Sequence, residues 1–332
     1  MQCSCVSWSS TLKLGPSFPK SKLSSINQAA SIDFAGRISL PSHVKAITST
    51  SNPFVKHCVK LRFSSSYRHF HGSVLVVGAT PIREICQFHE SLHGITCTLE
   101  CLILLDDVEV PDGLVDTTSV RIVRVSPTVM KKLSGMQSVE SIDAIALMRI
   151  PASFCSVDGN EKKVDFKRCF PSPHRILVLE GIQDPGNLGT LIRSALAFKW
   201  NGVFLLPGCC DPFNEKALRA SRGASFQLPI VSGTWSHLEV LKNEFQMKML
   251  AGHPESNEPK PISVLSQSFA NSLKDFPLCL VLGCEGSGLS EKSWQVCELL
   301  SIPMAGGFES LNVSVAGGIF LYMLQAEKHK HI

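Results

Sequence analysis

Several common signatures are missing from this chain, and each absence narrows what it can be. No apolar run approaches the roughly 20 residues that a membrane-spanning helix needs, so no membrane role is expected. Thirteen cysteines are present, yet no CxxC pair occurs among them. That spacing pattern suits neither a secreted disulfide framework nor a zinc site, and no metal is expected. Cys209 and Cys210 are neighbours that cannot easily bond each other, while Cys86, Cys101, Cys279 and Cys297 sit in apolar segments and read as buried, reduced thiols. The dinucleotide fingerprint G-x-G-x-x-G is also absent, which disfavours a nucleotide-binding oxidoreductase. No repeat of fixed period is visible. A strong charge imbalance is lacking too: the formal net charge is +4, weak support by itself for a nucleic-acid partner. Acids are nearly absent from the first 45 residues, where Asp33 is the only one among many Ser, Pro and Lys residues. No compact apolar stretch precedes a small-residue cleavage site there, so a secretory signal is not expected. The composition fits an organelle transit peptide over residues 1–45, for chloroplast in preference to mitochondrion; a plain disordered tail has similar composition.

The 332 residues leave room for two domains behind that leader. Residues 46–150 read as a small α/β domain. It opens with SNPFVKHCVKLRF, a helix capped by Ser51 or Asn52 with Pro53 in the first turn. Lys56, Lys60 and Arg62, with Arg68 just beyond, are either a solvated helix face or phosphate contacts. SVLVVG, LECLILLDD, VRIVRVS and IDAIALMRI read as strands, and PIREICQFHESL and SPTVMKKLSGM as helices. Residues 151–174 are polar, Pro-containing and aperiodic, the pattern of a linker. From Arg175 onward, short continuous apolar strands (RILVLEG, GVFLLPG, FQLPIV, MKMLAG, LCLVLG, LLSIPM) alternate with helical segments. This is the pattern of a parallel sheet covered on both faces, over residues 175–332.

The stretch Leu282–Val315 organises this second domain. Two glycine-rich loops each follow an apolar strand and open a helix, and loops at the carboxyl ends of parallel strands are where open α/β sheets bind ligands. The first loop is LGCEGSGLS, where Gly283, Gly286 and Gly288 let backbone approach a ligand closely and Glu285 can accept or orient a polar group. The second is IPMAGGFESLNVSVAGG, where Ser310 and Asn312 stand before an apolar helix as caps would; two caps within three residues leave one side chain for other work. A third constellation, LEGIQDPGNLGTLIRSALAF, sets Asn187 at a helix start as a capping residue. Arg193 lies off the buried stripe of that helix, on a face with Gly189, Thr190 and Ala197. Six residues of helix span about 9 Å, and side chains lean toward the helix N-terminus, so Arg193 leans back toward Asn187.

Together these three blocks resemble the three motifs of the SpoU (TrmH-type) RNA ribose 2′-O-methyltransferases of the SPOUT class. Asn187 with Arg193 matches the first motif, LGCEGSGLS the second and IPM…ESLNVSVA the third. The likeness covers about Arg175–Leu324 and extends more loosely to residues 47–150. Cys284 departs from it, since many members carry Asn there. The resemblance implies a SPOUT-type parallel sheet whose C-terminal part threads a trefoil knot, with a smaller N-terminal L30e-like α/β domain that binds the RNA substrate. It implies S-adenosylmethionine as cofactor, contacted at Gly283, Ile302 and Leu311, and a homodimer with the acceptor RNA at the subunit interface. Arg193 is then the key catalytic residue, with Asn187, Glu285, Ser310 and Asn312 positioning substrate or holding the loops. Arginine is a poor base, so stabilising a developing oxyanion or gripping a phosphate is an equally sound role. Organellar ribosomal RNA is the expected substrate. Transfer RNA is the alternative, as is an inactive RNA-binding relative acting in ribosome assembly.

Overall fold

A computed structural model describes residues 31–32, 38–39, 46–91, 99–114, 120–138, 142–157, 164–254, 260–284, 286–305 and 310–326. Strands β1 (Ser31–Ile32) and β2 (Ile38–Ser39) pair antiparallel. The first α/β unit follows. Its opening helix α1 (Pro53–Phe63) is capped by Asn52, whose side chain accepts from the Phe54 N–H at 2.9 Å. Pro53 occupies the first turn, where a missing N–H leaves no bond unmade. Phe54, Val55, Cys58 and Leu61 form the buried face of α1. Helix α2 (Ser65–His71) ends at Gly72, which takes the left-handed conformation. The unit continues through β3 (Ser73–Val77), α3 (Ala79–Ser91), β4 (Leu99–Leu105), β5 (Arg121–Val125), α4 (Pro127–Ser134) and β6 (Ile145–Arg149). The sheet order is β3-β6-β4-β5, with only β4 and β5 parallel. Apolar residues cover both faces. One of the two clusters also takes in Phe213, Leu218 and Phe226 of the following domain, so the units share a core across their junction.

The second unit is an eight-stranded sheet. Its elements are β7 (Phe154–Ser156), α5 (Phe166–Cys169), β8 (Arg175–Leu179), α6 (Pro185–Ala197), β9 (Gly202–Leu205), α7 (Glu215–Ser221), α8 (Ala224–Gln227) and β10 (Ile230–Ser232). Then come α9 (Trp235–Glu244), β11 (Lys248–Gly252), β12 (Ile262–Val264), α10 (Gln267–Ser272), β13 (Leu278–Leu282), α11 (Glu291–Val296), β14 (Glu298–Ser301) and α12 (Val313–Met323). The order is β12-β14-β11-β13-β8-β9-β10-β7, and every neighbouring pair is parallel. All strands therefore end on one edge. Strands β8, β11 and β13 are almost wholly buried because helices cover both faces, which is why they read as unbroken apolar runs.

Three details differ from the sequence expectation. The segment 151–174, expected as a linker, supplies the edge strand β7 and the short helix α5, and it buries Phe166 and Phe170. Three-residue strands and one-turn helices are too short to show a period. FQLPIV is not all strand: Phe226 and Gln227 close α8, and the sheet is joined only after Pro229, which cannot donate to a ladder. Strand β12 had no apolar signal of its own.

Arg175 is fully buried at the start of β8 with no carboxylate partner among the described residues. It donates instead to the carbonyls of Leu273, Lys274, Phe276 and Leu324, and burial pushes its pKa down to about 10. It fixes the C-terminal end of α12, the helix whose other end enters the candidate site.

Candidate functional site

Three loops meet at the carboxyl edge of the sheet. The first leaves β8 at Glu180. Asp184, not Asn187, is the N-cap of α6: its Oδ1 accepts from the Asn187 N–H at 2.8 Å. Asn187 thus sits inside the first turn and its side chain serves another purpose. Its Oδ1 accepts a hydrogen bond from Asn312 Nδ2 at 3.3 Å. Asn312 is itself the N-cap of α12, with Oδ1 accepting from the N–H groups of Ser314 (2.9 Å) and Val315 (3.4 Å). The first and third constellations, 125 residues apart, are joined by this amide pair.

Helices α6 and α12 reach this contact because Gly317 lets them close in, as Gly189 lets α6 close on α7. A Cβ on Gly317 would stand 2.2 Å from Leu191 Cδ2, and one on Gly189 would stand 2.3 Å from the Ala217 carbonyl. Gly189 is accordingly buried against α7, not on the open face with Arg193 as its spacing suggested. Arg193, Thr190 and Ala197 are exposed. Arg193 has no hydrogen-bond or ion-pair partner among the described residues, so its guanidinium is available to an anionic ligand.

The second loop follows β13. Backbone joins it to the first: the Glu180 N–H donates to the Leu282 carbonyl at 3.0 Å. The loop then folds on itself, with the Gly288 N–H donating to the Cys284 carbonyl at 2.9 Å. A Cβ on Gly283 would lie 2.2 Å from the Gly288 carbonyl oxygen. Gly283 is therefore demanded by the loop's own backbone, before any ligand is considered. Glu285 lies outside the described residues.

Glu180 was not singled out from the sequence, yet it ties these parts together. Its carboxylate accepts from the Trp235 indole N–H at 3.0 Å, the Ser290 N–H at 3.1 Å and the Ser293 hydroxyl. Burial pushes this carboxyl up, but the bonds from Ser293, Ser290 and Trp235 outweigh burial and hold its pKa below the ordinary value. The only sequence signal was an acid at a strand's carboxyl end.

The third loop follows β14. Ile302 is half-buried against the core at the strand's end. In the sheet, β14 is separated from β13 by β11 alone, about 10 Å at the usual strand spacing. Leu311 is 38% exposed, immediately before the Asn312 cap, and Ser310 is exposed. The edge thus offers a crowded backbone turn at Gly283, two aliphatic side chains at Ile302 and Leu311, the Asn187–Asn312 pair and the exposed Arg193 of α6. Such a rim can hold an apolar ring through backbone and aliphatic contacts while presenting a cation to a phosphate or an oxyanion.

Comparison with known proteins agrees with this geometry. The model of the SpoU rRNA Methylase family matches residues 174–322. An uncharacterized tRNA/rRNA methyltransferase of Synechocystis is 30% identical over 293 residues, which is 85% of this chain and 94% of that protein. The chain belongs to the SpoU methylase family. Membership makes it an RNA methyltransferase. It is also 36% identical over 153 residues to the 23S rRNA (guanosine(2553)-2′-O)-methyltransferase RlmP of Bacillus subtilis, a match covering 46% of this chain and 58% of that one. Among solved structures, an RNA 2′-O ribose methyltransferase aligns with a TM-score of 0.63 at 26% identity, over 84% of this chain and 97% of the other. The fold is shared with AviRb from Streptomyces viridochromogenes in complex with AdoMet (TM-score 0.62, 22% identity, 82% of this chain and 97% of that one). The α/β fold with its parallel sheet is thus that of solved SpoU methyltransferases.

Proposed function

We propose that this SpoU-family methyltransferase transfers a methyl group from S-adenosylmethionine to a ribose 2′-hydroxyl of ribosomal RNA, in an organelle. The observation that carries this reading is the Asn187–Asn312 bond, which joins the starts of α6 and α12 at the sheet edge, with Arg193 exposed on α6 and the Gly283 turn in the loop after β13. The residues present fit the cofactor. Leu311 leaves apolar surface open at the rim, where an adenine face would cover it, and the Gly283 turn presents backbone instead of side chains. S-adenosylmethionine supplies, when bound, an electrophilic methyl carbon. The chain's own work is to align the hydroxyl and to stabilise the charge that develops on its oxygen. Arg193, partnerless among the described residues, suits that charge or the adjacent phosphate. The Asn187–Asn312 bond holds the starts of α6 and α12 in fixed register beneath it. Ser310, exposed next to Leu311, and Glu285 are assigned to substrate positioning.

The same reading includes a trefoil knot, supported by the path of the chain: β14 lies beyond β11, yet α12 returns to pack on α6. It includes a homodimer, supported by the open apolar Val315 and Tyr322 on α12, with Phe198 beside them, whose ring meets that of Tyr322 at 5.5 Å. It includes plastid import through residues 1–45, supported by their acid-poor composition. The preference for ribosomal RNA rests on the separate first α/β unit, a module suited to structured RNA, and on the activity of the Bacillus relative.

Arg193→Ala tests the chemistry. It should stay folded and bind S-adenosylmethionine, yet lose methyl transfer by at least ~100-fold under single-turnover conditions, the lower range for removing an oxyanion-stabilising group. Near-normal transfer by this variant would remove Arg193 from the mechanism. Mapping 2′-O-methyl sites in organellar RNA with and without the protein decides between ribosomal and transfer RNA. RNA binding without any turnover would favour an assembly factor.

A further inference from the structure

The α1–α2 hairpin carries a surface that the methyl-transfer site does not use. Residues 46–72 contain no Asp or Glu, against Lys56, Lys60, Arg62, Arg68 and three histidines. Two of these cations are already committed. Arg62 pairs with Glu215, and Arg68 with Asp211, so neither is the phosphate contact that its spacing allowed. Lys56 and Lys60 are exposed and have no ion-pair partner among the described residues.

Beside them lies a run of rings. Tyr67 and His71 are 4.2 Å apart between centroids, His57 stands 5.6 Å and 5.0 Å from them, and Phe70 is 5.1 Å from His71. Lys60 Nζ lies 5.6 Å from the Tyr67 ring centre. Burial, then the His71 and Lys60 charges, lower the His57 pKa against the opposing pull of Glu100. Its Nδ1 lies 3.0 Å from the Tyr67 hydroxyl oxygen, a hydrogen bond that holds Tyr67 in place. Glu100 is engaged by Arg149 at 3.0 Å and by Ser73 at 3.3 Å, so its charge is paired. At the end of the run, Phe70 is 85% exposed. The opposite side of α2 reaches toward the site. Ser65 and Arg68 of α2 bond Asp211, and the neighbouring Cys210 N–H donates to the Ile182 carbonyl at 2.9 Å, in the loop that leads to Asn187.

We propose that this hairpin is a stacking platform for unpaired bases, so that the RNA substrate presents a single-stranded loop or bulge beside the methylated nucleotide. The proposal rests on the RNA methyltransferase reading and adds the class of RNA. A continuous A-form duplex offers phosphates and 2′-hydroxyls but hides its base faces. Lysines alone would suffice for a duplex. An open phenylalanine continuous with Tyr67 and His71 matches bases that are free to stack, and every base has such a face. The lack of acids over residues 46–72 suits a polyanion better than a protein surface of mixed charge.

Fluorescence anisotropy with the full chain tests this, using an adenylate-rich single-stranded RNA and a duplex of equal length at fixed salt. The wild-type chain should prefer the single strand. Phe70→Ala should weaken that binding by about 5- to 150-fold, the range for losing one stacked base, and Phe70→Trp should retain it. Changing Lys56 and Lys60 together to Gln should lower the salt slope by about 1.4, at roughly 0.7 per phosphate. Melting temperature and S-adenosylmethionine affinity should be unchanged in every variant. Single-strand binding by Phe70→Ala equal to wild type, or a wild-type preference for duplex, overturns the proposal while leaving the methyltransferase reading intact. A change confined to oligomeric state would overturn it in favour of a protein contact. No RNA binding by the wild-type chain would overturn both.

Discussion

Asp211→Ala should uncouple the two α/β units, because it strands a buried guanidinium at their junction. Arg68 is 2% exposed, and its Nε and Nη2 donate to one Asp211 oxygen at 3.0 and 2.6 Å. The Ser65 hydroxyl donates to the same oxygen at 2.7 Å, and the Phe213 N–H donates to the other at 2.8 Å. Removing one partner of a buried pair costs about 3–5 kcal/mol, mostly because the other charge stays unpaired. Arg68 Nη1 keeps its bonds to the Leu61 and Arg62 carbonyls, which favours the lower end. About 3 kcal/mol is a large share of a domain's stability and corresponds to a shift on the order of 10 °C or more for a unit of this size. Tryptophan fluorescence can localise the loss. Trp200, Trp235 and Trp294 all lie in the second unit, and Trp8 falls outside the described residues, whereas far-ultraviolet circular dichroism reports both units. In the wild type the two signals should melt together. In Asp211→Ala the dichroism should begin to fall well below the fluorescence transition. Coincident melting of both probes in the variant would refute the latch.

The pH dependence of this latch follows from the same contacts. Burial pushes the Asp211 carboxyl up, but bonds from His69 and Ser65 and the Arg68 charge prevail, holding it well below the usual carboxylate range. A depressed folded pKa stabilises the fold above the unfolded value of about 3.9, and that contribution is lost as pH falls from there toward the folded value. The stability gap between wild type and Asp211→Ala should therefore be full near neutrality and narrow on acidification below about pH 4. Replacing both partners with apolar residues, as in Arg68→Met with Asp211→Leu, should recover much of the loss.

Two further predictions concern the site. Gly283→Ala should weaken S-adenosylmethionine binding and loosen the loop together, since its Cβ would meet the Gly288 carbonyl at 2.2 Å; unchanged affinity by calorimetry would place the cofactor elsewhere. Asn312→Asp should keep the cap on Ser314 and Val315, and so the melting temperature, but lose the donor to Asn187 and with it methyl transfer, whereas Asn312→Ala should also cost about 1 kcal/mol of stability. Equal turnover by Asn312→Asp and wild type would show that the amide pair does not organise the site.

The sequence was most legible where burial is two-sided. RILVL, KMLAG and LCLVL are apolar because the sheet is covered on both faces, and each forms its strand. The helix that opens within LNVSVAGG buries Val313, Gly317, Phe320 and Leu321 as its spacing requires. Legibility failed where contacts are long-range. Asn187 reads as a cap because local rules favour Asn there, but Asp184 fills that role and releases Asn187 to meet a residue 125 positions away. Arg62 and Arg68 read as open cations, since nothing local shows that Glu215 and Asp211 fold back onto them. Glu180 escaped notice for the same reason: its three donors come from Trp235, Ser290 and Ser293.

Cys284 illustrates how a site can keep its shape while changing its residue. The resemblance places Asn there in many relatives, and an Asn side chain commonly accepts from a backbone N–H a few residues on, closing a turn. Cys284 makes the equivalent closure with sulfur. Its Sγ accepts from the Ser287 N–H at 3.4 Å and lies 3.0 Å from the Ser287 hydroxyl, while its carbonyl takes the Gly288 N–H. The Ser287 hydroxyl and N–H also favour the thiolate, lowering the pKa of the half-buried Cys284. What the loop requires at this position is an acceptor small enough to sit against Gly181, whose Cβ, if present, would be 3.5 Å away. The turn is then completed by Gly283 and Gly288, where no side chain would fit or φ is left-handed. A loop held mainly by its own backbone presents backbone to its ligand, and that is why its identity at Cys284 can vary while the glycines beside it are sterically fixed.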